Sequence, residues 1–130
     1  MNYISTRNNR KSFTFKDVFL KGLADDGGLF VPKSIKQFKK EELNNLKNLS
    51  YNDLAAEIIH PFMGDFMSKD DLISTISKSY SNFRSNDVVK ISDLGNLKVL
   101  ELFHGPTLAF KDIAMPVSYT HLTLPTTPYV

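Results

Sequence analysis

Charge is confined to the first part of this 130-residue sequence. All thirty charged side chains, sixteen basic and fourteen acidic, lie within residues 1–116. Residues 117–130 carry none, yet they hold four of the eight threonines and two of the six prolines. A folded surface needs charged and polar side chains to face water. Residues 1–116 are therefore the part of the chain that we expect to form one globular domain.

The uncharged terminus resembles a non-biological sequence. Residues 117–126 are identical to one translated frame of a common transposase sequencing adapter, and the flanking Pro116 and Thr127 fit the same frame. The alternative is a genuine terminus rich in threonine and proline, which ordinary proteins also have. The length of the match favours the adapter. We therefore predict a non-native tail over residues 116–130 and leave it out of the predicted fold.

Composition excludes several classes of protein. The net charge is only +2 and the basic residues are dispersed, so no nucleic-acid partner is expected. No apolar run approaches the ~20 residues of a membrane span, and the N-terminus lacks a signal-peptide core. Without cysteine, thiolate metal sites are excluded, and His60, His104 and His121 lack metal-ligand spacing. The sequence thus predicts a globular, cytoplasmic protein with no membrane partner and no metal.

Local signals predict helices interrupted by short strands. Helices are expected after Thr14, with Phe15, Phe19 and Leu23 as a stripe, and over about 34–49. Two more are expected after Ser50 and after Ser68, where capping-box patterns occur. The paired glycines of residues 25–28 indicate a turn before a strand at 29–31. Residues 88–91 and 97–103 are predicted strands joined by a turn at 93–96. The fold class is therefore α/β.

Candidate chemistry is concentrated in residues 101–112, ELFHGPTLAFKD. A strand runs into Gly105-Pro106, and Thr107 is predicted to cap a new helix. Lys111 would then share a face with the apolar Leu108 and Met115. Desolvation and a helix N-terminus both lower the pKa of a lysine, which is how an amine becomes nucleophilic. A snorkelling surface lysine explains the same spacing.

His104 has two interpretations as well. It is compatible with an acid or base, and equally with a turn residue whose hydrogen bonds are satisfied. The residues alone leave both open.

Three segments together resemble the threonine synthase family. ELFHGPTLAFKD, residues 101–112, resembles its cofactor-lysine motif. YISTR, residues 3–7, resembles the opening of the family, and GLADDGGLFVP, residues 22–32, resembles its first helix, turn and strand. The segments occur in the expected order and span residues 1–116.

The resemblance implies a fold and a reaction. Residues 1–95 would form the N-terminal mixed α/β domain of the family. Residues 96–115 would begin a tryptophan-synthase-like (fold type II) catalytic domain that binds pyridoxal 5'-phosphate (PLP). The implied activity converts O-phospho-L-homoserine and water to L-threonine and phosphate.

The resemblance also implies roles for residues. Lys111 would hold PLP as an internal aldimine and, once released, move protons on the substrate. The wall of the site would be formed by His104, Thr107, Phe110 and Asp112. Structural roles are implied for Arg7 and for the turn at residues 25–28.

Three expectations concern the extent of the chain. In this family the cofactor-phosphate loop and most substrate contacts follow the lysine, so the 130 residues alone are expected to be inactive. The alternatives are a related PLP-dependent lyase acting on another phosphorylated amino alcohol, and a short non-catalytic α/β module ending at Val130. The oligomeric state is left open.

Overall fold

The computed structural model describes residues 1–115 and divides the chain into two compact units. The first unit is Met1–Leu72, and the second is Ile73–Val130, of which residues 73–115 are described. The predicted non-native tail, 116–130, lies outside the described residues. The predicted domain boundary at residue 95 comes from the family resemblance and stays a prediction.

The first unit combines a two-stranded sheet with helices. Its elements are β1 (Tyr3–Ser5), α1 (Phe15–Lys21), β2 (Phe30–Pro32), α2 (Lys40–Leu46), α3 (Tyr51–Met63), a 3-10 turn (Gly64–Phe66) and the start of α4 (Lys69–Tyr80). Strands β1 and β2 are antiparallel, with Tyr3 opposite Pro32 and Ser5 opposite Phe30. Pro32 is tolerated because it ends a strand that has only one neighbour.

Three predicted helix starts are confirmed. Before α1, the Thr14 hydroxyl accepts from the Asp17 amide at 3.2 Å, and the Asp17 carboxylate accepts from the Thr14 amide at 2.9 Å. Ser50 accepts from the amide of Asp53 before α3, and Ser68 accepts from the amide of Asp71 before α4. In each case a short side chain satisfies an amide that the helix leaves unpaired.

Two details of the predicted helices are wrong. The helix expected from about Ser34 begins only at Lys40, where the amide of Lys39 donates to Glu42 at 2.7 Å. Ile35 is 67% exposed, so it contributes little apolar burial to the first part of the predicted helix. Leu23 lies beyond α1 and is also exposed, because Gly22 ends the helix with a φ of 73°.

An aromatic cluster fixes the N-terminal strand to the helices of the first unit. Phe15 stacks on Phe19 with ring centroids 5.5 Å apart, and it lies 5.2 Å from Phe66. Tyr3 packs against Phe15 and donates a hydrogen bond from its hydroxyl to the carbonyl of Phe62 at 2.7 Å. These separations are typical of favourable ring pairs.

The second unit continues α4 and adds β3 (Lys90–Asp93), β4 (Lys98–Glu101) and α5 (Lys111–Ala114). Strands β3 and β4 correspond to the strands predicted at 88–91 and 97–103, with shifted bounds. They pair antiparallel in a hairpin, with Lys90 opposite Glu101. The turn is closed by the amide of Leu94 donating to Leu97 at 2.9 Å. Within residues 1–115, no helix is both long and apolar enough to cross a membrane. The mixture of helices and strands confirms the predicted α/β class.

Candidate functional site: the lysine turn

The lysine turn, defined here as residues 104–112, connects β4 to α5. Strand β4 ends at Glu101, and the chain reverses after Gly105-Pro106. Inside the turn, the amide of Leu108 donates to the carbonyl of Gly105 at 3.2 Å, and Leu108 has a φ of 60°. That conformation is uncommon for leucine, so the surrounding contacts must hold it.

The strongest of these contacts joins Asp112 to Thr107. Asp112 is 7% exposed, and its carboxylate accepts from the Thr107 amide at 2.7 Å and the Thr107 hydroxyl at 2.6 Å. The hydrogen bond from the Thr107 hydroxyl is the main reason why the pKa of Asp112 is lowered. Asp112 is therefore an ionised carboxylate that closes the turn.

Gly105 is the residue that lets Asp112 come this close. It is buried, and a Cβ added to it would lie 2.8 Å from the carboxylate carbon of Asp112. No real side chain approaches so closely. The turn therefore needs glycine at position 105 for reasons of space.

The predicted cap at Thr107 is wrong. Helix α5 begins at Lys111, the N-cap position is Phe110, and Thr107 donates to Asp112 instead of accepting from a helix amide. Lys111 is consequently the first helical residue. Of the two apolar residues predicted to share its face, Leu108 lies outside α5 and is 52% exposed, whereas Met115 follows one turn later, its amide donating to the Lys111 carbonyl, and is 40% exposed.

Lys111 is exposed at the start of α5. Within residues 1–115 its ammonium group has no ion-pair partner. The neighbouring carboxylate of Asp112 is engaged by Thr107. Phe110, beside the lysine, is 74% exposed. The turn thus presents an amine that forms no ion pair within residues 1–115, although, after the hydrogen bond from the Thr107 hydroxyl, its charge contributes to lowering the pKa of the adjacent Asp112.

His104 belongs to a second array that the sequence did not predict. Its Nε2 lies 2.7 Å from one carboxylate oxygen of Glu101, and the hydroxyl of Ser92 donates to the other. The side chains of His104 and Glu101 are only 19% and 16% exposed. The hydrogen bonds from Ser92 and then from His104 lower the pKa of Glu101. The available sequence signal is the three-residue spacing, because β4 ends at Glu101 and the chain can then bring His104 back to it.

Two hydrogen bonds hold the lysine turn against the rest of the second unit. The amide of Arg84 donates to the carbonyl of His104 at 2.9 Å. The Tyr80 hydroxyl, at the end of α4, donates to the carbonyl of Ile113 at 2.5 Å. Of the five predicted site residues, the structure brings Thr107 and Asp112 into contact, pairs His104 with Glu101, and leaves Phe110 and Lys111 exposed.

Arg7 and the predicted turn at 25–28 lie in the first unit. The Arg7 guanidinium donates to the carbonyl of Asp26 at 3.0 Å, and the Ser5 hydroxyl donates to the Asp26 carboxylate at 2.7 Å. These bonds tie the first strand to the turn. No group of three or more potential metal ligands occurs among residues 1–115.

Comparison with known proteins identifies the family. Residues 2–80 match the sequence profile described as "Threonine synthase N terminus". The chain belongs to the threonine synthase family. It is 43% identical over 116 residues to threonine synthase of Pseudomonas aeruginosa, covering 88% of this chain and 25% of that protein. It is 40% identical over 115 residues to human "Threonine synthase-like 2", covering 87% of this chain and 24% of that protein.

The structural comparison agrees. The crystal structure of PLP-bound threonine synthase from Brucella melitensis superposes with a TM-score of 0.89 and 39% identity, covering 94% of this chain and 26% of that one. The prediction of the threonine synthase fold is therefore confirmed. The chain spans about a quarter of the length of the family members that it matches. Lys111 lies after the residues that match the N-terminal profile.

Proposed function

We propose that this chain is part of a threonine synthase that uses PLP to convert O-phospho-L-homoserine and water into L-threonine and phosphate. The supporting observation is a closed turn that presents Lys111 in a member of this family. The Brucella relative contains PLP. We extend that property to this protein as part of the proposal.

The residues of the lysine turn fit the cofactor chemically. PLP supplies an electron-accepting ring to which an amino acid is joined. It requires a primary amine that is not already paired, and Lys111 meets that requirement within residues 1–115. The one acidic group beside it, Asp112, is occupied by Thr107. Lys111 would hold the cofactor covalently through Nζ.

The remaining turn residues would serve the lysine in two ways. Asp112, Thr107 and Gly105 fix the backbone from which Lys111 projects. His104 and Phe110 would form part of the wall around the bound molecule. Once its Nζ is free, Lys111 would carry protons to and from the α- and β-carbons of the substrate.

We expect the activity to require the full-length protein. The relatives are about four times as long as this chain, and their remaining three quarters have no counterpart here. The 130 residues alone should form no threonine. A cytoplasmic location, a small-molecule substrate, and the absence of nucleic-acid and membrane partners belong to the same proposal.

The test uses the full-length gene product with added PLP. Threonine and phosphate should form in equal amounts from O-phospho-L-homoserine. Borohydride reduction followed by peptide mass analysis should locate the cofactor on Lys111. Lys111→Ala should abolish turnover, whereas Lys98→Ala, which removes an exposed lysine paired with Asp93 in the same unit, should not. Cofactor on another lysine would contradict the proposal.

A second candidate is a related PLP-dependent lyase for another phosphorylated amino alcohol. The observation that favours it is the 40% identity to a threonine synthase-like protein, close to the 43% identity to a threonine synthase. Cofactor on Lys111 with phosphate release from a different phosphorylated amino alcohol, and no threonine, would select this candidate. A protein that binds no PLP would select the non-catalytic module.

A further inference from the structure

Among the described residues, one ring nitrogen of His104 has no hydrogen-bond partner, and the side chain is 19% exposed. Its Nε2 lies 2.7 Å from Glu101, whereas Nδ1 has no hydrogen-bond partner within residues 1–115. A polar atom shielded from water is costly unless it forms a hydrogen bond. The side chain is of intermediate burial, so an unpaired Nδ1 at the beginning of the lysine turn is available to accept a hydrogen bond from a bound molecule.

Glu101 determines which nitrogen carries the hydrogen. The Ser92 hydroxyl donates to Glu101, and the pKa of this carboxyl is lowered, first by Ser92 and then by His104. An ionised carboxylate only accepts hydrogen bonds. The hydrogen between the two groups must therefore sit on Nε2. In the neutral ring, Nδ1 then presents a lone pair.

The neighbours of this pair hold it in place. The Arg84 amide binds the backbone carbonyl of His104, and the Phe103 ring lies 4.8 Å from the imidazole. Lys90 stands opposite Glu101 across the hairpin and is the other charged group that acts on this carboxylate. Because the backbone, the ring and the carboxylate are each fixed, Nδ1 has a defined direction.

We infer that Nδ1 of His104 accepts a hydrogen bond from the molecule bound at the lysine turn, and that Glu101 is the positioning residue that fixes this tautomer. The inference rests on the proposed function. The partner must carry an O–H or N–H donor. An ionised phosphate offers acceptors only and is excluded. Among the two reactants of the proposed reaction, the donors are the water that is added and the amino group of the substrate.

The kinetic test compares three variants of the full-length, PLP-loaded enzyme. His104→Gln keeps a donor near the position of Nε2 but has nothing in place of Nδ1. We expect it to lower kcat/KM about 10-fold or more, the scale of one hydrogen bond. In Glu101→Gln the side chain no longer determines which nitrogen of His104 carries the hydrogen, so we expect a similar fall in kcat/KM. His60→Gln is the matched control, because His60 contacts the Met67 carbonyl in the first unit.

The split between kcat and KM distinguishes the two donors. A contact to the substrate amino group is made on binding, so its loss should raise KM and leave kcat unchanged. A contact to the attacking water acts during the reaction, so its loss should lower kcat and leave KM unchanged. If kcat and KM of His104→Gln are each within 2-fold of those of the wild type and of His60→Gln, the inference is overturned.

A second measurement does not depend on turnover. In full-length protein labelled with 15N-histidine, the His104 signals are those missing from His104→Gln. We expect Nε2 to be protonated, Nδ1 to be unprotonated, and the Nδ1 signal to move when L-2-aminobutyrate binds to the PLP-loaded enzyme. A protonated Nδ1 would overturn the inference. An Nδ1 signal that ignores the bound amino acid would also overturn it if His104→Gln raises KM, the result expected for a contact to the substrate amino group. Absence of threonine formation with these signals intact would contradict only the proposed function.

Discussion

The carboxylate of Asp112 receives both hydrogen-bond donors of Thr107, the amide at 2.7 Å and the hydroxyl at 2.6 Å. This pair closes the turn whose next-to-last residue is Lys111. A threonine that donates twice to an acid five residues later makes a compact loop without any regular secondary structure. The geometry of the lysine is therefore set by its immediate neighbours.

The Thr107 hydroxyl should matter for activity. Thr107→Val removes one of the two donors to Asp112, and we expect kcat of the full-length enzyme to fall about 10- to 100-fold, because small displacements of a reacting group are costly. Thr107→Ser keeps the hydroxyl and should retain most of the activity. Steady-state kinetics on O-phospho-L-homoserine provide the check. Equal activity of the two variants would show that the hydroxyl does not position the turn.

Gly105→Ala should disrupt the turn by crowding. The added methyl group would lie 2.8 Å from the carboxylate carbon of Asp112, so one of them must move. We expect a loss of about 1–3 kcal/mol in the free energy of unfolding, the usual cost of overpacking. Thermal unfolding of the full-length protein measures it. Gly95→Ala, where no atom lies within 4 Å, reports only the strain of a positive φ and serves for comparison.

Asp26 should make the protein more stable at neutral pH than in acid. The Ser5 hydroxyl, the Gly28 amide and Arg7 lower its pKa below the unfolded value, which is about 3.9 for aspartate. The folded state then binds fewer protons, so this contribution is present above about pH 4 and disappears as pH falls through the folded pKa.

The corresponding experiment compares melting temperatures. Asp26→Asn should melt below the wild type at neutral pH, and the difference should shrink as the pH falls below the unfolded pKa of about 3.9. Asp25→Asn is the matched control, since Asp25 is an 82% exposed neighbour that pairs only with Lys21 among the described residues. A difference between Asp26→Asn and the wild type that stays constant with pH would contradict this role of Asp26.

The interior of α4 should tolerate little change. Leu72 is fully buried, and Leu72→Ala should cost about 2–5 kcal/mol in the free energy of unfolding. Leu20 is 70% exposed, and Leu20→Ala should change the free energy of unfolding by less than about 0.5 kcal/mol. Thermal or denaturant unfolding of the full-length protein checks both. Similar losses for the two variants would show that the exposure of Leu20 does not persist in the full-length protein.

The features predicted correctly from the sequence are local ones. Thr14, Ser50 and Ser68 cap helices because each bonds an amide three residues away, and such a bond needs no distant partner. The hairpin followed from two apolar stretches separated by a short turn. The predicted start of α2 is wrong because tertiary packing decides where a weakly amphipathic helix begins. Ile35, near the predicted start, is largely exposed and contributes little packing.

The errors in the site have a different physical cause. Thr107 precedes a short helix, which favours a helix cap, but Asp112 accepts the hydrogen bond of its hydroxyl. Helical spacing predicts that Leu108 shares a face with Lys111, and this prediction fails because Leu108 lies outside α5. The pairing of His104 with Glu101 depends on where β4 ends. Sequence patterns locate such an end only to within a few residues.

The closure of the lysine turn has a consequence for the order of folding. The bonds between Thr107 and Asp112 join residues five positions apart in the sequence, and the bond from Ser92 to Glu101 joins residues nine positions apart. Short loops close early because little chain entropy is lost. During synthesis on the ribosome, the lysine turn could therefore form soon after its last residue, Asp112, has left the exit tunnel. In relatives about four times as long, most of the polypeptide would still be untranslated at that moment.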